Sequence, residues 1–374
     1  MGVIVPQHHR LRISGDYGDD VSLPSVLLHD HLDGGLRPRT VLELAEDHGY
    51  EGLPATDETS LAAWFDQSES GSLEGYLKAF DHTIAVMQIP EALERVAYEA
   101  VLDLAADEVV YAEFRFCPSL FTDRGLQAAE VIDHVASGLR LGEAETGLKW
   151  GIIVDALRQL DNSIEMARAA NARRSSGVVG FDLAGPEAPF PPTDHLAACR
   201  YIRESGLRLT LHAGEAAGDN GVSYIASAMD VCAAERLGHG VEIVRDCVFE
   251  DGDITALGAV ASRVRDRQVP LELCPTSNLA TNMLDPGEHP LGALFRAGFN
   301  VTLNTDNRLM SHTSMSNEFD FARVHHGLNT DDLAQITKRS LEAAFCDYET
   351  KRSLWETRIA PSYSQAGAEV DTAW

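Results

Sequence analysis

Val26-Leu27-Leu28-His29-Asp30-His31-Leu32-Asp33-Gly34-Gly35 reads as a buried strand whose apolar run ends in two histidines one residue apart, a carboxylate and two glycines. Side chains alternate along a strand, so His29 and His31 project to the same side, where two imidazoles can share one cation. Seven further short apolar runs follow, at 109–116, 150–157, 178–183, 207–211, 235–238, 269–273 and 299–303. Helical stripes separate them, such as Val131, Ile132, Val135 and Leu139, or Ile254, Leu257, Val260 and Val264. Eight strands alternating with helices predict an α/β fold, a (β/α)8 barrel of the TIM type rather than an open doubly wound sheet. The sixth run is the shortest support for that count. Gly238-His239-Gly240 lacks the third glycine of a dinucleotide fingerprint, and no other strand is followed by one.

Between the first and second runs the chain makes a long helical excursion. Arg37-Pro38-Arg39-Thr40 marks a helix start, with proline tolerated in the first turn. Leu73, Tyr76, Leu77, Phe80, Ile84 and Met87 form one amphipathic stripe, and Leu93, Val96, Ala97, Ala100, Val101 and Leu104 form another. An excursion longer than a crossover needs, set at the C-terminal end of strand 1, predicts a helical lid insertion over residues 50–90. Residues 1–24 read as a partly disordered leader, 25–360 as a single catalytic domain and 361–374, which carry no helical stripe, as a loose tail.

The 374 residues are 44% hydrophobic and 24% charged, an ordinary globular composition. A formal charge of −28 repels polyphosphate over most of the surface, so no nucleic acid and no anionic membrane is expected as a partner. A small neutral or cationic molecule fits better. There is no long apolar run and no signal-peptide pattern at the start, so the expected location is cytoplasmic. Six scattered cysteines without C-x-x-C spacing argue against a disulfide framework and against a thiolate zinc site.

In a barrel of this kind, side chains from the C-terminal ends of different strands converge on one rim. Strand 1 ends in His29 and His31, strand 4 runs into Asp182-Leu183-Ala184-Gly185, and strand 5 into His212-Ala213-Gly214-Glu215. Strand 6 ends at His239 and strand 8 at Asn304-Thr305-Asp306-Asn307. His29, His31, His212 and Asp306 are three imidazoles and one carboxylate, a set that suits one zinc ion with a position left for water. Glu215, on the turn beyond His212, is placed to shuttle protons, and His239 to hydrogen-bond the activated water. His48, His82, His134, His195, His325 and His326 read as surface or packing residues.

The motifs His-x-His-x-Asp-Gly (29–34), Asp-Leu-Ala-Gly (182–185), His-Ala-Gly-Glu (212–215), Gly-His-Gly (238–240) and Asn-Thr-Asp (304–306), in this order, resemble the adenosine deaminase family of the amidohydrolase superfamily, especially its bacterial members. The resemblance runs from residue 26 to about 345. It implies a zinc barrel that hydrolyses adenosine and 2'-deoxyadenosine to the inosine forms in purine salvage, with release of ammonia. His29, His31, His212 and Asp306 would then hold one Zn2+, Glu215 would protonate purine N1, and His239 would orient the hydroxide that attacks C6. His31 would also face the substrate, Asp33 would bind the 5'-hydroxyl, and the backbone amide of Gly185 would meet N3. The family pattern has a second aspartate after the metal-binding one, taken to donate to N7. Here Asn307 stands in its place, and an amide donates without first being protonated.

Other readings make different demands on the sequence. A two-metal cyclic amidohydrolase needs a lysine at the end of strand 4, and Lys78, Lys149, Lys338 and Lys351 all lie elsewhere. An AMP-specific deaminase needs basic residues for the phosphate, and in the first loop only Arg37 and Arg39 are near. Zinc deaminases of the H-x-E with P-C-x-x-C type are excluded by the cysteine spacing. Two alternatives stay open: a deaminase of 6-aminodeoxyfutalosine or a modified nucleoside, and a catalytically silent nucleoside-binding protein on the same fold.

Overall fold

A computed structural model of the chain describes residues 23–282 and 284–374. Eight parallel strands follow one another around a barrel: β1 (Ser25–His31), β2 (Val109–Phe116), β3 (Lys149–Leu157), β4 (Val178–Ala184), β5 (Arg208–Ala213), β6 (Arg236–His239), β9 (Leu271–Leu273) and β10 (Val301–Leu303). Between β6 and β9 lies a separate antiparallel hairpin, β7 (Cys247–Glu250) with β8 (Asp253–Leu257). Every residue of β1 and β2 is buried, as expected of parallel strands covered on both faces.

The barrel closes between β1 and β10. There the His31 amide donates to the Asp306 carbonyl at 2.7 Å and the Asp306 amide to the His29 carbonyl at 3.0 Å. Because β10 stops at three residues, a side chain continues the ladder, with the Leu28 amide donating to Asn304 Oδ1 at 2.9 Å. Three candidate site residues, His29, His31 and Asp306, are thus fixed by the closing hydrogen bonds themselves.

The excursion after β1 is α1 (Pro38–His48), α2 (Glu58–Phe65), α3 (Leu73–Tyr76), α4 (Phe80–Val86) and α5 (Pro90–Ala106). Extended residues precede the prolines that open α1 and α5, and Gly49, at φ +66°, ends α1 in the left-handed conformation that glycine tolerates. Seven residues of α5, from Ala92 to Leu104 at helical spacing, are buried. Arg37 pairs with Asp103 and Arg39 with Glu43, so both guanidiniums serve the helices. Helices α2 to α4 form the lid.

Three expectations need correction. Of the helical stripe read from Ile254, Ile254 and Leu257 lie instead in the second strand of the β7–β8 hairpin, and only Val260 and Val264 lie in a helix, Ala259–Asp266. Asp251 and Gly252 both have positive φ (52° and 86°), a two-residue turn whose Asp-Gly sequence is a strong hairpin signal. The tail expected over 361–374 is not loose. Its helical stripe is Trp355, Ile359, Ala360 and Tyr363, which begins before residue 361, so reading from 361 onward cuts the pattern in two. The Tyr363 hydroxyl lies 2.8 Å from Thr337 Oγ1, and Trp355 Nε1 donates to the Asp371 carbonyl at 3.0 Å. Finally, the segment Arg115 to Thr122 at the end of the second apolar run reads from the sequence as pocket lining, but Arg115 lies wholly inside the barrel, while Cys117 and Leu120 do line the cavity. The expected leader falls outside the described residues except for Leu23 and Pro24, which are buried.

Candidate active site and metal centre

At the C-terminal rim, His29, His212, His239 and Asp306 each present a ligand atom, all within 4.8 Å of one another. His31 joins them, its Nε2 lying 3.4 Å from His212 Nε2 and 3.5 Å from Asp306 Oδ1. Five strand-end side chains therefore meet where four had been assigned to a metal, with His239 inside the group. His239 and Asp306 both sit at φ +57°, a conformation that side chains with a Cβ adopt at some cost and that here aims both into the rim. Gly238 leaves room for this, because a Cβ there would lie 3.0 Å from the His212 Cα.

Behind the imidazoles stands a row of buried acids. His29 Nδ1 is 3.0 Å from Glu272, His212 Nδ1 is 2.8 Å from Asp182, and His31 Nδ1 is 3.4 Å from Asp155. The Glu272 carboxylate, hydrogen-bonded at His29 Nδ1, keeps the proton there and leaves the Nε2 lone pair facing the cluster, the arrangement that metal-bound histidines use, while Asp182 and Asp155 stand beside the other two rings as charge partners. Among the described residues, buried His29 Nε2 has no hydrogen-bond partner. Three imidazole nitrogens facing inward, the orphaned His29 Nε2 among them, and one carboxylate fit a divalent cation. The cluster is a metal-binding site.

The acids are themselves held inside the barrel. Arg115 donates to Asp182 at 2.7 Å and to Glu272 at 2.8 Å, and Arg236 bridges Glu272 and Glu113 at 2.6 Å each. Burial works against the charged form of Asp182 and Glu272, but the neighbouring His212 and Arg115 for the first, and Arg115 and Arg236 for the second, outweigh it, leaving both ionised.

Glu215 lies beyond β5 on a turn gripped from below. The Glu187 carboxylate accepts from the amides of Gly214, Glu215 and Ala216 (2.6, 2.9 and 3.1 Å), and Glu242 accepts from Ala217 and Gly218. The Glu215 side chain is buried, with Oε2 3.7 Å from His239 Nε2. Burial first, then the charges of Asp306 and Glu187, push its pKa well above the usual carboxylate range, which favours the protonated acid. Asp33 is likewise pushed up, to about 6, chiefly by burial, and its Oδ1 is unpartnered among the described residues.

A cavity opens onto this cluster, lined by His31, Asp33, His212, Glu215, His239, Asp306 and Asn307 on the barrel side and by Gly185 and Pro186 after β4. Its far wall is the lid stripe Leu73, Tyr76, Leu77, Phe80 and Ile84. All the site residues singled out from the sequence thus reach one cavity or the cluster beneath it, Gly185 with φ +86°. Missed from the sequence were Asp155, Glu187, Glu242, Glu272, Asn278 and His289. An acid inside an otherwise apolar strand, as at Glu272 or Asp155, was the available signal, since charged groups are buried only when paired.

A parallel barrel carrying a histidine–aspartate metal site and a neutral carboxylic acid beside it defines a metal-dependent hydrolase of the amidohydrolase superfamily. The comparisons narrow the class: the adenosine deaminase profile matches residues 24–360. The chain belongs to the adenosine deaminase family. It is 49% identical over 349 residues to an adenosine deaminase of Mycobacterium ulcerans (strain Agy99), covering 91% of this chain and 95% of that one. Among solved structures it is similar to an amidohydrolase from Burkhoderia ambifaria with bound Zn (TM-score 0.81, 25% identity, 92% of each chain). It is equally similar to an adenine deaminase from Arthrobacter aurescens (TM-score 0.81, 26% identity, covering 92% of this chain and all of that one). No helix among the described residues is long and apolar enough to cross a membrane.

Proposed function

We propose that the chain hydrolyses the 6-amino group of adenosine and 2'-deoxyadenosine, with His29, His31, His212 and Asp306 holding one Zn2+. His239 is left out of the ligand set because an amide, Asn278 Nδ2, faces its Nδ1 where a carboxylate faces each of the others. A cation held there supplies the Lewis acidity that brings the pKa of a water from 15.7 to about 7. The residues around it do the rest. Glu215, kept protonated by burial, gives a proton to purine N1 and makes C6 electrophilic. His239 directs the attacking oxygen to C6 and the C6–O bond forms; the Glu215 carboxylate left by N1 protonation then carries the proton of the C6 hydroxyl to the amine, and the C6–N bond breaks, giving C6=O and ammonia. Asn307 donates to N7, the Gly185 amide to N3, and the apolar lid excludes bulk water.

One observation carries this reading: a buried carboxyl, Glu215, beside His239, above a cation site and under an apolar lid. Two others favour a nucleoside. No arginine or lysine lines the cavity among the described residues, which disfavours a nucleotide phosphate, and the unpartnered Asp33 Oδ1 awaits a hydroxyl that a free base lacks. The test is an ultraviolet assay over adenosine, 2'-deoxyadenosine, adenine, AMP and 6-aminodeoxyfutalosine, with the metal content of the same preparation measured. Turnover of the first two with one equivalent of zinc is expected. Preference for adenine, AMP or 6-aminodeoxyfutalosine would replace the substrate assignment, and binding without turnover would make the chain a silent binder.

A further inference from the structure

Asn278, in the helix Pro275–Asn282 that follows β9, is buried, and its side chain makes three hydrogen bonds. Its Oδ1 accepts from the Cys274 backbone amide at 3.3 Å, and a backbone N–H can only donate, so the oxygen and nitrogen of this side chain are fixed without ambiguity. Its Nδ2 must then be the atom 3.0 Å from His239 Nδ1.

A second chain of bonds gives the same orientation independently. The Leu291 amide donates to His289 Nδ1 at 3.2 Å, so that nitrogen carries no hydrogen. Burial pulls the His289 pKa down to about 3, which keeps the ring neutral, and its one hydrogen sits on Nε2. That Nε2 lies 3.3 Å from Asn278 Oδ1 and donates to it. Two donors at Oδ1 leave the amide nitrogen no orientation but toward His239.

We propose that Asn278 is a positioning residue that fixes the tautomer of His239, donating to Nδ1 so that the ring's hydrogen stays on Nε2 and points into the active site. The inference rests on the hydrolase reading for its catalytic consequence, but the tautomer stands on the hydrogen bonds alone. It separates the rim histidines into two kinds. His29, His31 and His212 are backed by acids and present lone pairs; His239 is backed by a donor and presents an N–H. An N–H aimed at an attacking oxygen stabilises the charge that grows there, which a lone pair would oppose. His289 and the Leu291 amide extend the arrangement two residues further from the chemistry.

The experiment uses the zinc-loaded enzyme labelled with 15N-histidine. The wild-type spectrum, with the His239 signal assigned by its loss in His239→Gln, shows which ring nitrogen carries hydrogen; Nε2 is expected. Asn278→Asp keeps the size of the side chain and still accepts from Cys274 and His289, but it reverses the bond to His239 and should move the hydrogen to Nδ1. Its kcat should fall by about 10²-fold or more with KM little changed and the metal retained. If Asn278 were merely structural, Asp would be milder than Ala; here Asn278→Asp should be at least as slow as Asn278→Ala. Hydrogen on Nδ1 in the wild type, or an Asp variant that turns over while the Ala variant does not, overturns the proposal. The wild-type spectrum decides the tautomer even if no variant folds. It also does so if the protein fails to deaminate adenosine, a result that would count against the function and not against Asn278.

Discussion

At the scale of single residues, the site divides its labour among groups of similar size with opposite protonation. Glu215 and Asp306 are both buried carboxyls of the same cavity, yet burial and neighbouring acids keep the first protonated, whereas in the second the histidines outweigh burial and hold it ionised. Replacing Glu215 by Gln preserves shape and the turn held by Glu187 but removes the acid. Glu215→Gln should lower kcat by about 10²- to 10⁴-fold while metal stoichiometry is unchanged. Saturating assays paired with metal analysis check this, and a variant that loses metal together with activity would make Glu215 a ligand instead. Asn307 offers a finer test. An amide that donates to purine N7 is worth roughly 1.4 kcal/mol, or a tenfold change in KM. Asn307→Ala should therefore weaken adenosine about tenfold and leave a 7-deaza analogue, which has no N7 acceptor, unaffected. Equal losses on both substrates would remove N7 from Asn307's role.

At the scale of elements, what was legible depended on whether a pattern matched one periodicity. β1 and β2, buried along their whole length, stood out as apolar runs, and the lid stripe from Leu73 to Ile84 was legible as a helical face and lines the cavity as such. The β7–β8 hairpin was not, because Ile254, Leu257, Val260 and Val264 fall at helical spacing although strand and helix change over at Gly258. The Asp251-Gly252 turn held the missing information. The helix Met315–His326 hides another feature: Glu318 is buried, accepting from the Thr276 amide at 3.3 Å and from Thr313 Oγ1 at 2.7 Å. Burial raises its pKa to about 7 from the ordinary 4.5. The folded state therefore prefers the protonated acid, and the stability this group contributes is full below pH 4.5 and lost as pH rises through 7. The loss amounts to about 3 kcal/mol. Glu318→Gln cannot ionise, so its stability relative to the wild type should increase between pH 5 and pH 8, read from denaturation midpoints at the two values. A difference independent of pH would show that Glu318 is not held neutral.

At the scale of the whole molecule, a ladder of charge runs through the barrel interior. Glu113, Arg236, Glu272, Arg115 and Asp182 are joined end to end, and its acids reach the rim through His29 and His212. The motifs at the strand ends were legible because metal chemistry restricts which residues can serve there. The ladder was not, because its members lie on four different strands and no local spacing connects them. Fold and site are therefore one electrostatic unit: Arg115 neutralises the same two carboxylates that orient two rim histidines. Removing it leaves buried acids unpaired, and Arg115→Met should destabilise the protein by about 3–5 kcal/mol. If the ladder also sets the histidines, the damage must extend to the cation, with affinity lowered about 10- to 100-fold, as when the groups that orient metal ligands are lost. A cation bound only to the folded state, at a concentration 1,000 times its Kd, adds about 4.1 kcal/mol, so chelation should lower the wild-type Tm markedly. At the same zinc concentration a 10- to 100-fold weaker site gains about 1.4 to 2.7 kcal/mol less. Arg115→Met, and Arg115→Lys more mildly, should thus show a smaller rise in Tm on adding zinc than the wild type does. An equal rise in all three would mean that Arg115 supports the barrel and not the metal site.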